Sequence, residues 1–303
     1  MLKAGLNLVL AGAIATCGCS HGSSPPAATS ANQPEPRAQS SANSASSQPG
    51  EPIVGFDRND YPGDDTMSAM RKVFSFTGYW LTNPPGENAN TWTGKRELLH
   101  SQGWGFLVLA NGKLDAEILK AKKSGRSPAA LGKSDAGNAV AAAKREGFPA
   151  QTIIFLDQEE GGRLLDEQAE YLLAWTEAVA GSSYRPGVYA SGQRVQDDPG
   201  VWIDTIEDIR ARVKKGGWHE VAIFDALDQC PPSPGCTLHA KPLSAAPDLN
   251  LTAWQYSQSP RRPEITQSCG ATYATDGNCY APGFPKVFLD MDASNSADPS
   301  HGR

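Results

Sequence analysis

Residues 152–162 read TIIFLDQEEGG, and this stretch decides the fold. Ile153, Ile154 and Phe155 form an apolar, β-branched and aromatic run without alternating polar residues. Such a run predicts a strand buried on both faces, as in a parallel sheet. The two glycines at its end allow the chain to turn sharply away.

The same stretch ends in acidic residues. Asp157 and Glu159 are two apart, so in a strand they share a face, with Cα atoms roughly 6.6 Å apart. Carboxyl groups this close separate each other's pKa values and can take acid and base roles. Glu160 is a second candidate for the acid. The alternative is a solvated acidic loop that caps the next helix.

Apolar runs recur along the chain, most of them separated by helical patterns. Eight strands with helical crossovers in about 240 residues predict an α/β fold, a (β/α)8 TIM-type barrel with irregular last crossovers. A doubly wound open sheet is the alternative. The predicted strands lie at 53–57, 76–81, 104–110, 152–157, 185–191, 220–225, 251–256 and 285–290, and the predicted helices at 64–74, 95–102, 134–146, 164–179 and 205–215, with a long loop before residue 134.

The last two crossovers read as loops and carry Cys230, Cys236, Cys269 and Cys279. In an oxidising compartment these residues would form disulfides in place of the missing helices. The simplest pairing is local, 230 with 236 and 269 with 279, and two other connectivities are open. A zinc site is less favoured, because no histidine lies at ligand spacing nearby.

The N-terminal segment has the pattern of an export signal. Lys3 precedes a short apolar run, Leu6–Ile14, which is too short to span a bilayer. Cys17 or Cys19 then follows, a pattern that resembles a bacterial lipoprotein signal with a lipidated cysteine. An ordinary secretory signal is the alternative. The predicted segments are a signal peptide at 1–19, a disordered Ser/Ala/Pro-rich linker at 20–51, a barrel domain at 52–293 and a disordered tail at 294–303.

Composition excludes several classes of function. A net charge of −6 without a basic stripe argues against nucleic acid as a partner. The sequence has no G-x-S-x-G, H-E-x-x-H or P-loop motif, and its five histidines are scattered. We therefore predict neither a cofactor nor a metal.

Acidic and aromatic residues cluster at the ends of the predicted strands, where a barrel has its active face. Paired carboxylates suit acid/base work at a glycosidic bond, and aromatic rings stack on sugars. Singly, the acids could be caps and the aromatic residues could be core. Together they predict catalytic roles for Asp57, Asp157, Glu159 and Asp290, and substrate contacts for Tyr189, Asp225, Trp254 and Tyr256.

From Ile53 to Asp292 the chain resembles the family called DUF1906, the Rv2525c-like glycoside hydrolase-like domain, and more distantly the family 25 lysozyme-type muramidases. The matching segments are GFDRNDYPG at 55–63, IIFLDQEEGG at 153–162, RPGVYASG at 185–192, LTAWQYS at 251–257 and VFLDMD at 287–292.

The resemblance implies roles for the acids. Glu159 would protonate the leaving oxygen, and Asp157 would orient or stabilise, or assist an N-acetyl group acting as internal nucleophile. Asp57 and Asp290 would shape the subsite and bias the pKa of the acid.

The leading hypothesis is a cell-envelope glycoside hydrolase, muramidase-like, that acts on peptidoglycan or a related glycan and is held to the membrane by its lipid. The alternative is a catalytically inactive glycan-binding envelope lipoprotein. A structural envelope protein without a glycan ligand is the third reading.

Overall fold

The computed structural model describes residues 51–248 and 250–303. The predicted signal peptide, Cys17, Cys19 and the predicted linker up to residue 50 lie outside the described residues. No helix within the described ranges has the length and apolar character needed to cross a membrane.

Eight strands close into a barrel with helices between most of them, which confirms the predicted fold class. The predicted starts of the first seven strands all fall within two residues of the observed starts. The barrel strands are β1 Ile53–Asp57, β2 Phe76–Trp80, β3 Gly105–Asn111, β4 Ile153–Gln158, β5 Arg185–Ser191, β8 Ala222–Ala226, β9 Ala253–Ser257 and β12 Asp290–Ser294.

Two short hairpins, β6 Val195–Asp198 with β7 Val201–Ile203 and β10 Tyr280–Ala281 with β11 Phe284–Phe288, lie outside the barrel. The helices are α1 Asp64–Met70, α2 Arg96–Ser101, α3 Asp115–Lys123, α4 Pro128–Glu146, α5 Asp166–Ala180, α6 Thr205–Gly216 and α7 Pro263–Thr266, with 3-10 turns at Leu243–Ala245 and Gln267–Thr272.

The closing strand differs from the prediction. The run predicted as the eighth strand, 285–290, mostly belongs to the outer strand β11, whose side chains are largely exposed. The barrel strand β12 begins at Asp290 and runs antiparallel to both β1 and β9. An apolar run marks a strand but not its direction, and the small, buried residues of β12 gave the weaker sequence signal. Because β12 is reversed, its first residue, Asp290, lies opposite Asp57, the last residue of β1.

The prediction of a disordered tail at residues 294–303 is wrong. Ser300 is fully buried between the lower ends of β3 and β4. Its carbonyl accepts from Ile153 N at 2.8 Å, its N–H donates to Phe106 O at 2.9 Å, and its hydroxyl accepts from Val108 N at 2.8 Å. The tail is polar, but its short side chains satisfy backbone groups that β3 and β4 leave unpaired there.

The predicted long loop before residue 134 is also wrong, because it holds α3 and the start of α4. Glu117 caps α3 by accepting from Leu114 N at 3.0 Å. Ser127 is the N-cap of α4 and accepts from Ala130 N, with a proline in the first turn. Gly132 lets α4 approach α5 closely, since a Cβ there would lie 2.2 Å from Tyr171 O.

A disulfide joins Cys230 to Cys269, with an S–S distance of 2.08 Å. The local pairing is therefore wrong, and the bond ties the excursion after β8 to the excursion after β9. Cys236 and Cys279 are free, but their side chains hydrogen-bond to each other. The two long excursions fold against each other, which brings together cysteines that are distant in sequence.

Candidate functional site

The four predicted catalytic acids meet at the mouth of the barrel, which is the end where the seven parallel barrel strands finish. Asp57, Asp157, Glu159 and Asp290 all line a cavity of about 60 Å³, which we call the acid cavity. The remaining lining residues are Asn59, Trp80, Pro85, Leu109, Tyr189, Phe224 and Gln255.

Strand β4 supplies two of the acids because its side chains alternate. Asp157 points into the barrel and is buried. Gln158 is buried on the opposite face of β4 and does not line the acid cavity. Glu159 follows the last strand residue and is exposed to solvent. It is therefore accessible from the mouth.

Glu160 has a different position. Its Oε2 accepts from Asp115 N at 2.6 Å and from Gln168 Nε2 at 2.6 Å. These bonds fasten the loop after β4 to α3 and α5, and Glu160 does not line the acid cavity. Of the two candidate acids, Glu159 alone faces the site.

Gln255 on β9 holds the acids on the opposite wall. Its Nε2 donates to Asp57 Oδ2 at 2.8 Å and lies 3.5 Å from Asp290 Oδ2. Its Oε1 accepts from Tyr189 OH at 2.8 Å. Asp290 also accepts from Ser259 N at 2.6 Å. The predicted residue Tyr189 thus lines the cavity and acts through Gln255 on the carboxyl group of Asp57.

Trp254 and Tyr256 do not reach the acid cavity. Both are fully buried, with Trp254 Nε1 donating to Leu227 O and Tyr256 OH donating to Thr237 O. Alternation along β9 turns these rings outward and Gln255 inward. The sequence interpretation favoured the aromatic pair, whereas the strand periodicity by itself identified Gln255 as the residue on the opposite face.

Asp225 is also outside the cavity. On β8 it is Phe224 that faces inward, so Asp225 points outward and is fully buried. Its carboxylate packs onto Gly192, where a Cβ would lie 2.4 Å from Oδ1. The predicted substrate contacts of Asp225, Trp254 and Tyr256 are therefore corrected: none of the three can touch a ligand in the acid cavity.

Burial dominates the electrostatics of the site. It raises the pKa of Asp57 to about 6, against hydrogen bonds that lower it. It raises the pKa of Asp157 and of Asp290 well above the ordinary value, and neighbouring carboxylates add to the rise. The pKa of Glu159 is raised by partial burial, while Arg262 opposes the rise. The carboxyl groups of the cavity therefore hold their protons to higher pH than isolated carboxyl groups do.

Asp292 lies one layer below and was not among the predicted site residues. It is fully buried, and burial raises its pKa well above the ordinary value, with the charges of Asp57 and Asp290 adding to the rise. Neither of its oxygens receives a hydrogen bond from another group in the described chain. Its spacing from Asp290, two residues on one strand, was the signal that could have identified it.

A larger cavity of about 680 Å³, which we call the cleft, adjoins the acid cavity and shares Asp157, Glu159 and Pro85 with it. Its walls are the loop after β2, the end of β3 and one face of α4. Gly112 forms part of its floor, where a Cβ would come within 2.1 Å of Asp157 O. The backbone at the ends of β3 and β4 is thus packed too closely for any side chain at this position.

Metal-type spacing occurs once in the ranges that the structure describes, among Asp228, Cys230 and Cys269. Both sulfurs of this group are joined in the disulfide, so they are not available as thiolate ligands.

Comparison with known proteins gives one family match. The family model described as "Rv2525c-like, glycoside hydrolase-like domain" matches residues 75–233, slightly more than half of the 303 residues. This range includes Asp157 and Glu159 but not Asp57 or Asp290. No curated protein matches the chain significantly.

Three solved structures illustrate the similarity. An uncharacterized B. stearothermophilus protein has 19% identity, with 80% of this chain and 96% of that chain covered and a TM-score of 0.48. The Mycobacterium tuberculosis Tat-secreted protein Rv2525c has 14% identity, coverage of 83% and 98%, and a TM-score of 0.47. The catalytic domain of endolysin ply40 from bacteriophage P40 of Listeria monocytogenes has 13% identity, coverage of 83% and 98%, and a TM-score of 0.44.

Proposed function

The chain belongs to the Rv2525c-like, glycoside hydrolase-like family, and on this premise we propose that it hydrolyses glycosidic bonds in peptidoglycan or a related glycan of the cell envelope. One observation carries the proposal. Four carboxyl groups, from β1, β12, β4 and the residue that follows β4, line a single cavity at the mouth of the barrel, and one of them is exposed. A pair of carboxyl groups flanking the scissile bond is what most glycoside hydrolases use.

In this proposal Glu159 is the general acid. It is the accessible member of the group, and partial burial raises its pKa, which favours the protonated form that a general acid needs. Its carboxyl group would protonate the oxygen of the leaving sugar.

Asp157 lies beside Glu159, and its Oδ1 has no hydrogen-bond partner in the described chain. It would receive the N–H of an acetamido group or stabilise the positive charge that develops at the sugar ring. Asp57 and Asp290, register partners on β1 and β12, would shape the subsite from the other wall. Of the neighbouring charges, Glu160 disfavours ionisation of the acid and Arg262 favours it.

Export and lipid attachment are further parts of the proposal. They rest on the sequence of residues 1–51, with Cys17 or Cys19 as the lipidated residue. A lipid anchor would hold the glycan-cleaving barrel at the membrane, next to its substrate.

The test is the Glu159→Gln variant on purified peptidoglycan, with release of soluble fragments as the measurement. We expect a loss of about 10²- to 10⁴-fold, the usual contribution of a general acid, with folding unchanged. Glu97→Gln, an exposed glutamate outside both cavities, is the matched control. Unchanged turnover by Glu159→Gln would refute the assignment.

The inactive glycan-binding alternative makes a different prediction for the unmodified protein. It would sediment with peptidoglycan and release no fragments. The accessible position of Glu159 beside a second carboxyl group is the observation that favours hydrolysis.

A further inference from the structure

We propose that the cleft beside the acid cavity binds two or more uncharged sugar residues on one side of the scissile bond. This assignment rests on the proposed function and adds the position and the charge class of the glycan.

The volumes of the two cavities indicate which part of the glycan each can hold. The acid cavity, at about 60 Å³, has room for a few waters or small groups but not for a sugar ring. The cleft, at about 680 Å³, lies within the range of roughly 300–1,000 Å³ that holds a drug-sized ligand. The acid cavity can therefore receive only the atoms at the reacting bond, and the rings must rest in the cleft.

The connection between the cavities fixes where those rings lie. Asp157 and Glu159 line both spaces. A sugar in the cleft next to Glu159 presents its glycosidic oxygen to that carboxyl group. The rest of the bound chain then extends over the ends of β2 and β3 towards α4.

Four side-chain amides line the cleft beside its charged groups. Each amide offers two donors and one acceptor oxygen, which suit the hydroxyl and acetamido groups of a sugar. Asn111 ends β3 as the register partner of Asp157, and Asn138 projects from α4 across the cleft. The four amide residues of the lining are Asn83, Asn88, Asn111 and Asn138.

Charge in the cleft disfavours an acidic ligand. Lys113 is the one lysine or arginine that lines the cleft within residues 51–248 and 250–303, and its Nζ lies 3.6 Å from Glu117 Oε1. Glu87 and Asp135 are further carboxyl groups of the walls, besides Asp157 and Glu159 at the inner end. A glycan with carboxylates or phosphates on these residues would be repelled, whereas a neutral one would not.

The experiment measures binding, so that it does not depend on turnover. Chitobiose and chitotetraose, both uncharged, are titrated by calorimetry into the Glu159→Gln variant. Asn111→Leu and Asn138→Leu are then added to this background, with Asn295→Leu, an exposed residue at the other end of the barrel, as the control. Oligogalacturonate is the acidic probe.

We expect tighter binding of the tetrasaccharide than of the disaccharide. Each cleft variant should weaken tetrasaccharide binding about tenfold, the size expected when one or two neutral hydrogen bonds are lost. Asn295→Leu should leave binding unchanged, and oligogalacturonate should bind more weakly than chitotetraose.

Unchanged affinity in both cleft variants would overturn the inference, as would the absence of binding by either neutral probe or tighter binding of the acidic one. The proposed function can fail separately. If neutral oligosaccharides bind through Asn111 and Asn138 but the unmodified protein cuts no glycan, the cleft assignment stands and the hydrolase assignment falls.

Discussion

Asp292 and Asp298 are six residues apart and have opposite environments. Asp292 lies inside the barrel near the mouth and receives no hydrogen bond from an N–H group in the described chain. Asp298 lies at the opposite pole, where the strands begin, and accepts from Phe106 N at 2.9 Å and Arg303 N at 3.0 Å. The hydrogen bonds of Asp298 stabilise the fold at that pole. The buried acids at the mouth lower stability, which is typical of functional sites.

Removing the tail should have the largest effect on stability. A chain ending at Ala297 loses every bond that Ser300 makes to β3 and β4, together with the acceptors of Asp298. At roughly 1 kcal/mol per hydrogen bond, we expect the free energy of unfolding to fall by about 4–6 kcal/mol. Urea denaturation followed by tryptophan fluorescence measures it.

Ser300→Ala provides the graded control for this truncation. It removes only the hydroxyl acceptor of Val108 N and should lower the free energy of unfolding by about 1 kcal/mol. An unchanged midpoint in the truncated chain would mean that the tail does not support the pole.

The same substitution at the two aspartates should change stability in opposite directions. Burial raises the pKa of Asp292 well above its ordinary value of 3.8, so above that pH the folded chain binds more protons than the unfolded chain. Its free energy of unfolding therefore falls as pH rises. Asp292→Asn removes this titration, and we expect a gain of about 1–3 kcal/mol at pH 8 that disappears near pH 4.

Asp298→Asn should lower stability by about 1 kcal/mol, because one amide N–H would face a backbone N–H that now donates to a carboxylate oxygen. Thermal unfolding of both variants between pH 4 and 8 measures the two changes in stability. A loss of stability in Asp292→Asn at pH 8 would contradict this account of the mouth.

The smallest expected effect concerns Gln255. Its hydrogen bond favours the ionised form of Asp57, whose pKa is about 6. Gln255→Leu removes the donor, so the pKa of Asp57 should rise by about one unit. If catalysis needs ionised Asp57, the acidic limb of the pH profile of kcat/KM moves to higher pH by the same amount.

Gln196→Leu, on the exposed strand β6, is the control for Gln255→Leu and should leave the pH profile in place. A profile that stays fixed in Gln255→Leu would show that Asp57 does not have to be ionised.

Much of the fold followed from the sequence because a strand buried on both faces needs a continuous apolar run. Residues 153–156 met this condition and form most of β4, which is buried along its whole length. The direction of β12 could not be predicted in this way, since periodicity is the same for either direction. The tail was missed because a short polar segment reads as disordered unless the unpaired backbone groups that it satisfies are known.

The sequence predicted the site residues that are acids at strand ends. It missed the residue whose position depends on which side chains of a strand face the barrel interior. Asp57, Asp157, Glu159 and Asp290 meet as expected. On β9 the aromatic residues were chosen for their chemistry, although each strand can present only alternate residues to the interior. Gln255, flanked by two large rings, is the residue that reaches the acids.

The reversal of β12 has a consequence for how the molecule can be attached to something else. Ile53 and Ser294 are register partners, and Arg303 bonds the backbone of Gly103 and Trp104 just before β3. The described chain therefore enters and leaves at the same end, opposite the mouth. A linker, a fused domain or an immobilising tag joined at this end would leave the mouth of the barrel unobstructed. A polymer much longer than the protein could then reach it.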